Sequence, residues 1–183
     1  THLGAFGLVE WLLFWSVGTI WGSSFLLMDI GLDAFSPGLI TWMRVGSGAA
    51  VLTFFPAARK PVDKADWPRL TALSVLWVAV PFTLFPIAQQ WISSAVAGML
   101  NGAVPIFVAT IGSCMLQKLP RGAQLGGLLV GFLGVVLVSL PSAGEGETQA
   151  VGVVLVLIAT LCYGVSVNIA APIQQKYGSL PVM

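Results

Sequence analysis

Long apolar stretches separated by short polar joints set the rhythm of this chain. Apolar runs cover positions 8–30, 37–56, 68–88, 93–116, 122–140 and 151–173. Each approaches the roughly 20 residues that a helix needs to cross a bilayer. Turn chemistry marks the joints: Ser36-Pro37-Gly38, Lys60-Pro61, Lys118-Leu119-Pro120-Arg121 and Pro141-Ser142-Ala143-Gly144. The pattern predicts an all-α integral membrane protein with six transmembrane helices, successive helices lying antiparallel because their joints are short. The stretch from Arg59 to Pro68 is the longest polar joint, and Pro141 to Thr148 reads as a flexible exposed loop.

An internal echo adds topology. Trp21-Gly22-Ser23-Ser24 in the first run and Tyr163-Gly164-Val165-Ser166 in the sixth share the pattern aromatic-Gly-x-Ser. The copies stand five spans apart, so the second crosses the membrane in the opposite sense. That is the arrangement of an inverted repeat, which builds secondary transporters around a midplane site. The reading is one complete five-helix unit over 5–141 and the first helix of an inverted, incomplete second unit over 150–183.

Composition strengthens the membrane assignment. Hydrophobic residues make up 57% of the sequence and charged ones 8%, against about 25% charged in soluble domains. Mean hydropathy is +0.93. The net charge of +1 gives no reason to expect nucleic acid. Every basic residue except Arg44 falls in alternate joints or just after the sixth run: Arg59, Lys60, Lys64, Arg69, Lys118, Arg121 and Lys176. By the positive-inside rule the amino terminus is cytoplasmic, in a multi-pass protein of the cell's inner (plasma) membrane. Thr1 stands where an initiator Met would, and Ser179-Leu180-Pro181-Val182-Met183 resembles the entry to another helix. The chain therefore reads as part of a longer membrane protein, with no cleaved signal peptide.

Few residues offer chemistry. His2 is the sole histidine, and Cys114 and Cys162 lie within apolar runs as small buried hydrophobes. No metal site, cofactor motif or nucleophile–base pair is present, so the chain is read as a non-enzyme. Arg44, about 10 Å into the second run at 1.5 Å per residue, is a costly intramembrane charge. It either serves a solute pathway or snorkels to the outer interface, and a pair with Asp29 is open to it. Ser16, Thr19 and Ser23 share one face of the first helix, as backbone-bonded packing residues or as solute contacts. Pro81 and Pro86 bend the third span, ending at Gln89-Gln90. In the fourth, Ser94, Gly98, Asn101, Pro105, Val108 and Gly112 recur at alternating spacings of four and three, a narrow stripe read as a solvated lining. The fifth run carries Gly122, Gly126, Gly127, Gly131 and Gly134 and reads as a packing helix, against neighbours or another protomer.

Taken together, these motifs resemble the EamA-like branch of the drug/metabolite transporter superfamily. The resemblance rests on Trp21-Gly22-Ser23-Ser24-Phe25, Arg44-Val45-Gly46, Asn101 to Phe107, Gly126 to Val138 and Tyr163 to Ser166. It implies ten spans in two inverted five-helix repeats, with four helices beyond this chain, exporting small organic metabolites such as amino acids or drug-like solutes. The family often carries Leu-Gly-Glu after the fourth span; Leu116-Gln117-Lys118 stands here, without the acid that a proton-coupling role would need. Substrate binding then falls to Trp21, Ser23, Ser24, Arg44, Gln90, Asn101, Tyr163 and Asn168 around a central cavity, with Arg44 attracting an anionic group such as a carboxylate. Expected partners are the lipid bilayer, a small-molecule substrate and a second copy through the fifth helix. The alternative is a non-transporting scaffold, assembly subunit or inert truncated fragment.

Overall fold

A computed structural model describes residues 7–115, 117, 122–142 and 150–183. Its elements are the helices α1 (Leu8–Leu32), α2 (Pro37–Leu52), α3 (Trp67–Leu73), α4 (Val80–Ala88), α5 (Ser94–Asn101), α6 (Val104–Met115), α7 (Ala123–Ser142) and α8 (Ala150–Tyr177). A wide π turn, Ser74–Ala79, joins α3 to α4, and two 3-10 turns fill the long polar joint. The described residues form no strand. All six predicted runs are helical, and four give spans long and apolar enough for a membrane: Leu8–Leu32, Lys64–Ala88, Ser94–Met115 and Ala150–Tyr177. The protein is a multi-span membrane protein, and α1 exposes large apolar side chains such as Leu13, Phe14, Ile20 and Leu27 to its surroundings.

Local chemistry sets the boundaries. Ser36 caps α2, its hydroxyl accepting from Leu39 N at 3.4 Å, and Pro37 occupies the first turn. The second run was expected to reach 56, but α2 stops at Leu52 after 16 residues. Pro56 forces Phe55 into extended backbone, at φ −99° and ψ 108°, because the proline ring excludes the helical conformation before it. At 1.5 Å per residue α2 is about 24 Å long, short of the roughly 30 Å hydrocarbon core. In the fourth span Gly102 and Ala103 interrupt the helix, donating to Met99 O and Leu100 O, before Pro105 enters the first turn of α6. α7 carries on through Pro141 and Ser142, where the loop was expected to begin; the rest of that loop, 143–149, lies outside the described residues. So do Leu116, Lys118 and Arg121. Gln117 has a left-handed backbone, φ 52°, at the position where the family resemblance implies glycine.

Directions follow from contacts. Arg44 of α2 reaches back to Met28 and Ser24 while Ile40 lies on Gly31, so α2 runs antiparallel to α1. A Cβ on Gly152 would lie 2.7 Å from Ile92 Cγ2, whereas Lys176 meets Asp63 and Asp66 at 3.0 and 2.8 Å. α8 is thus antiparallel to the α3–α4 span. Beyond α8, Ser179, Leu180 and Met183 share a recess with Val51 and Leu52 at the far end of α2. The end of α1 and the end of α8 therefore lie at opposite ends of the molecule. The core joins these elements through Phe25, Met28, Ile40, Phe85, Leu100, Val156 and Tyr163.

Candidate functional site

Two recesses open in the structure, one of them beside an aromatic centre. The first, about 530 Å³, opens between α1 and α5 and is lined by Trp21, Gly22, Phe25, Ser94, Gly98 and Asn101 among others. It sits where the fourth span breaks, so irregular backbone borders a cavity, a tolerated arrangement at membrane depth. Asn101 Oδ1 is buried there without a hydrogen-bond partner. An unpaired buried acceptor costs free energy of about 1–3 kcal/mol, so this oxygen is fitted to receive a donor.

The aromatic centre follows the two motif copies. Trp21 and Tyr163 meet edge to face at 6.2 Å, Tyr163 stacks on Phe85 at 6.1 Å, and Phe85 meets Phe25 at 5.3 Å. Glycine does different work in each copy. A Cβ on Gly164 would come within 2.6 Å of Phe107 Cβ, so α6 and α8 touch through it, whereas nothing lies within 4 Å of such an atom on Gly22.

Arg44 of α2 meets α1 at Ser24 and Met28, three and seven residues after Trp21 and on the same side of that helix. Its Nη1 donates to Met28 Sδ at 2.9 Å, its Nη2 to Ser24 Oγ at 3.1 Å, and the guanidinium covers the Phe82 ring at 4.3 Å. The expected pair with Asp29 does not form; among the described residues Arg44 joins no ion pair. Helix geometry explains this. Ser24 and Met28 share a face, and Asp29 is rotated about 100° away from Met28. The side chain turns toward the body of the membrane span rather than out to the interface.

The remaining predicted residues divide. Ser23 is exposed and donates to Ile20 O at 3.1 Å. Gln90 is exposed, while its neighbour Gln89 is 6% exposed and donates from Nε2 to Phe25 O at 2.9 Å, leaving Oε1 unpaired. Position explains the choice: Pro81, Phe85, Ala88 and Gln89 fall on the buried face of α4. Asn168 donates to Val108 O at 3.0 Å and Gly164 O at 2.8 Å, and its Oδ1 fills the space beside Gly112. The polar stripe of the fourth span is thus split: Ser94, Gly98 and Asn101 border the first recess, and Val108 and Gly112 pack on α8.

Proline chemistry binds α2 to α4. Pro86 has no N–H for the Phe82 carbonyl one turn back, and the Thr41 hydroxyl lies 2.9 Å from that oxygen and 2.9 Å from Pro37 O. At one end of the bundle a polar cluster, missed in the sequence, gathers Asp63, Asp66, Lys176 and Tyr177. Tyr177 OH lies 2.8 Å from both the Asp63 and the Asp66 carboxylate, with one proton to share between them. Hydrogen bonds from Lys176 and Tyr177 hold the Asp63 carboxyl below its ordinary pKa. Opposite charges on the long joint and the end of α8 were the available signal. Among the described residues no three His, Cys, Asp or Glu side chains are grouped to hold a metal ion.

Comparison with known proteins gives the family. Residues 9–140 match the EamA-like transporter family. An "Uncharacterized transporter" of Archaeoglobus fulgidus is 24% identical over 171 residues, 93% of this chain and 60% of its own length. The "Uncharacterized transporter YdfC" of Bacillus subtilis is 28% identical over 88% of this chain and 53% of its own. For the "Uncharacterized inner membrane transporter YedA" of Escherichia coli the identity is 24%, over 79% of this chain and 47% of its own. The chain thus spans about half to three-fifths of the length of these relatives. No solved structure matches it.

Proposed function

Because the chain belongs to the EamA-like transporter family, we propose that it builds one flank of a solute pathway in a secondary transporter. The cargo is a small organic metabolite, of the size of an amino acid or drug-like molecule, and the direction is export across the inner membrane. Asn101 carries this reading. Its buried, unpaired oxygen stands at a break in a membrane helix, beside a recess walled by Trp21 and Phe25. An aromatic wall takes an apolar body, and a lone acceptor fixes one donor on it.

The wider architecture is read the same way. The opposed directions of α1 and α8 support an inverted second repeat beginning at 150, and alternating access would come from rocking one repeat against the other. The Asp63–Lys176 end of the bundle is taken as cytoplasmic, with the amino terminus, from the placement of Lys and Arg. Gly126, Gly127 and Gly134 on α7 have open space around them, which favours α7 as a contact face for a further helix or a second protomer.

Solute flux through the reconstituted protein tests the pathway. Asn101→Leu is expected to lower it by up to about tenfold, the loss of one good hydrogen bond. Unchanged flux in that variant would remove Asn101 from the lining. A cysteine at 101, with Cys114 and Cys162 replaced, should react with a hydrophilic thiol reagent; inertness there would favour a scaffold instead.

A further inference from the structure

Arg44 is a cation among neutral partners. Met28 Sδ, Ser24 Oγ and the Phe82 ring surround the guanidinium, and none of them carries charge. Among the described residues no carboxylate stands within ion-pair distance. A charge within a membrane span is expensive and ordinarily pairs or faces a pathway. This one has pairing capacity to spare, since a guanidinium offers five N–H donors and two bonds account for Met28 and Ser24.

A second recess of about 540 Å³ starts at Arg44 and follows one face of α2 past Ser47, Gly48, Val51 and Leu52, with Leu180 and Met183 opposite. From residue 44 to 52 it runs about 12 Å at 1.5 Å per residue. One end is cationic and the walls are mostly apolar. We propose that Arg44 and this trough bind a small organic acid, the carboxylate on the guanidinium and the apolar body along Val51 and Leu52. The inference rests on the transport reading and names its solute class. Carboxylate geometry matches two parallel guanidinium N–H groups. A single negative charge also balances the single cation, whereas a dianion would leave net charge in an apolar trough.

The test uses hydrocinnamate, hydrocinnamamide and phenethylammonium, three probes of similar shape and different charge. Binding to the purified protein is measured in phosphatidylcholine nanodiscs and repeated with phosphatidylglycerol added. Hydrocinnamate is expected to bind at least about tenfold tighter than the amide, the value of one charge-assisted hydrogen bond over a neutral one. Arg44→Gln should lose that preference, and Arg44→Lys, which keeps the charge but not the paired N–H groups, should keep a weaker one. Gly48→Leu fills the trough at a position with nothing within 4 Å of a Cβ, so it should fold normally and weaken hydrocinnamate.

Equal or tighter binding of the amide or the ammonium, no binding of any probe, or a carboxylate preference that survives Arg44→Gln would each overturn the proposal. Loss of hydrocinnamate binding in phosphatidylglycerol would assign the anion to a lipid headgroup and overturn it too. Flux separates the two readings: transport of the amide by the unmodified protein, without carboxylate preference, removes this inference and leaves transport standing.

Discussion

Thr41 shows how one hydroxyl can make a proline tolerable inside a membrane helix. The Phe82 carbonyl loses its helical donor at Pro86 and finds Thr41 on the neighbouring helix instead. Thr41→Val should destabilise the protein by about 1–2 kcal/mol, the cost of an orphaned carbonyl. In a Pro86→Ala background the new N–H at 86 can satisfy that carbonyl, so the same substitution should cost less; an SDS-unfolding double-mutant cycle reads the coupling. Glycine gives a second contrast. Gly164→Ala forces a Cβ to within 2.6 Å of Phe107 and should cost about 1–3 kcal/mol by overpacking. Gly22→Ala meets nothing within 4 Å and should stay within about 0.5 kcal/mol of the unmodified protein. Much of this was legible as residue type but not as partner. Aromatic-Gly-x-Ser marked both glycines, yet only tertiary packing distinguishes the one that touches a helix from the one that does not. Gln89 and Gln90 are chemically identical, and the phase of α4 alone decides which is buried. Arg44 declared its charge in the sequence; its direction depended on which face of α1 lay opposite.

At the level of elements, hydropathy located the helical runs and misjudged where some of them end or break. Apolar side chains continue to Phe55, so the pattern carried α2 to 56, while backbone sterics ahead of Pro56 ended it at Leu52. The break between α5 and α6 was similarly hidden, because Gly102 and Ala103 are as apolar as their neighbours. The joint between α2 and α3 proved more ordered than its polarity implied. Its Asp63 and Asp66 hold Lys176 and Tyr177 at the end of α8. Because Asp63 is held below its ordinary pKa in the folded protein, its stabilising contribution is present above the ordinary carboxylate range and is lost as pH falls through the lower, folded value. Acidification should therefore loosen the end of α8, seen as faster proteolysis near Tyr177, and Asp63→Asn should loosen it already at neutral pH and flatten that dependence.

For the whole molecule, opposed directions of α1 and α8 make a topological statement that labelling can check. With Cys114 and Cys162 replaced, a cysteine at Ala34 and one at Ser179 should react with impermeant reagent from opposite sides of the membrane, 34 from outside and 179 from the cytoplasm. Reaction of both from one side would contradict the two-repeat reading. Reversed sides would keep the repeats and invert the orientation.

The third span is fastened at both ends and loosely wound between them. Thr41 grips its upper part through Phe82, while Leu73, Ala170 and Ile173 clamp its lower part to α8 beside the Asp66–Lys176 bond. Between these fixtures lie the six residues of Ser74–Ala79, coiled wider than an ordinary helix. Any relative tilt of the two fastened portions has to be absorbed there. The span would bend as a jointed strut, with its elbow just ahead of Pro81.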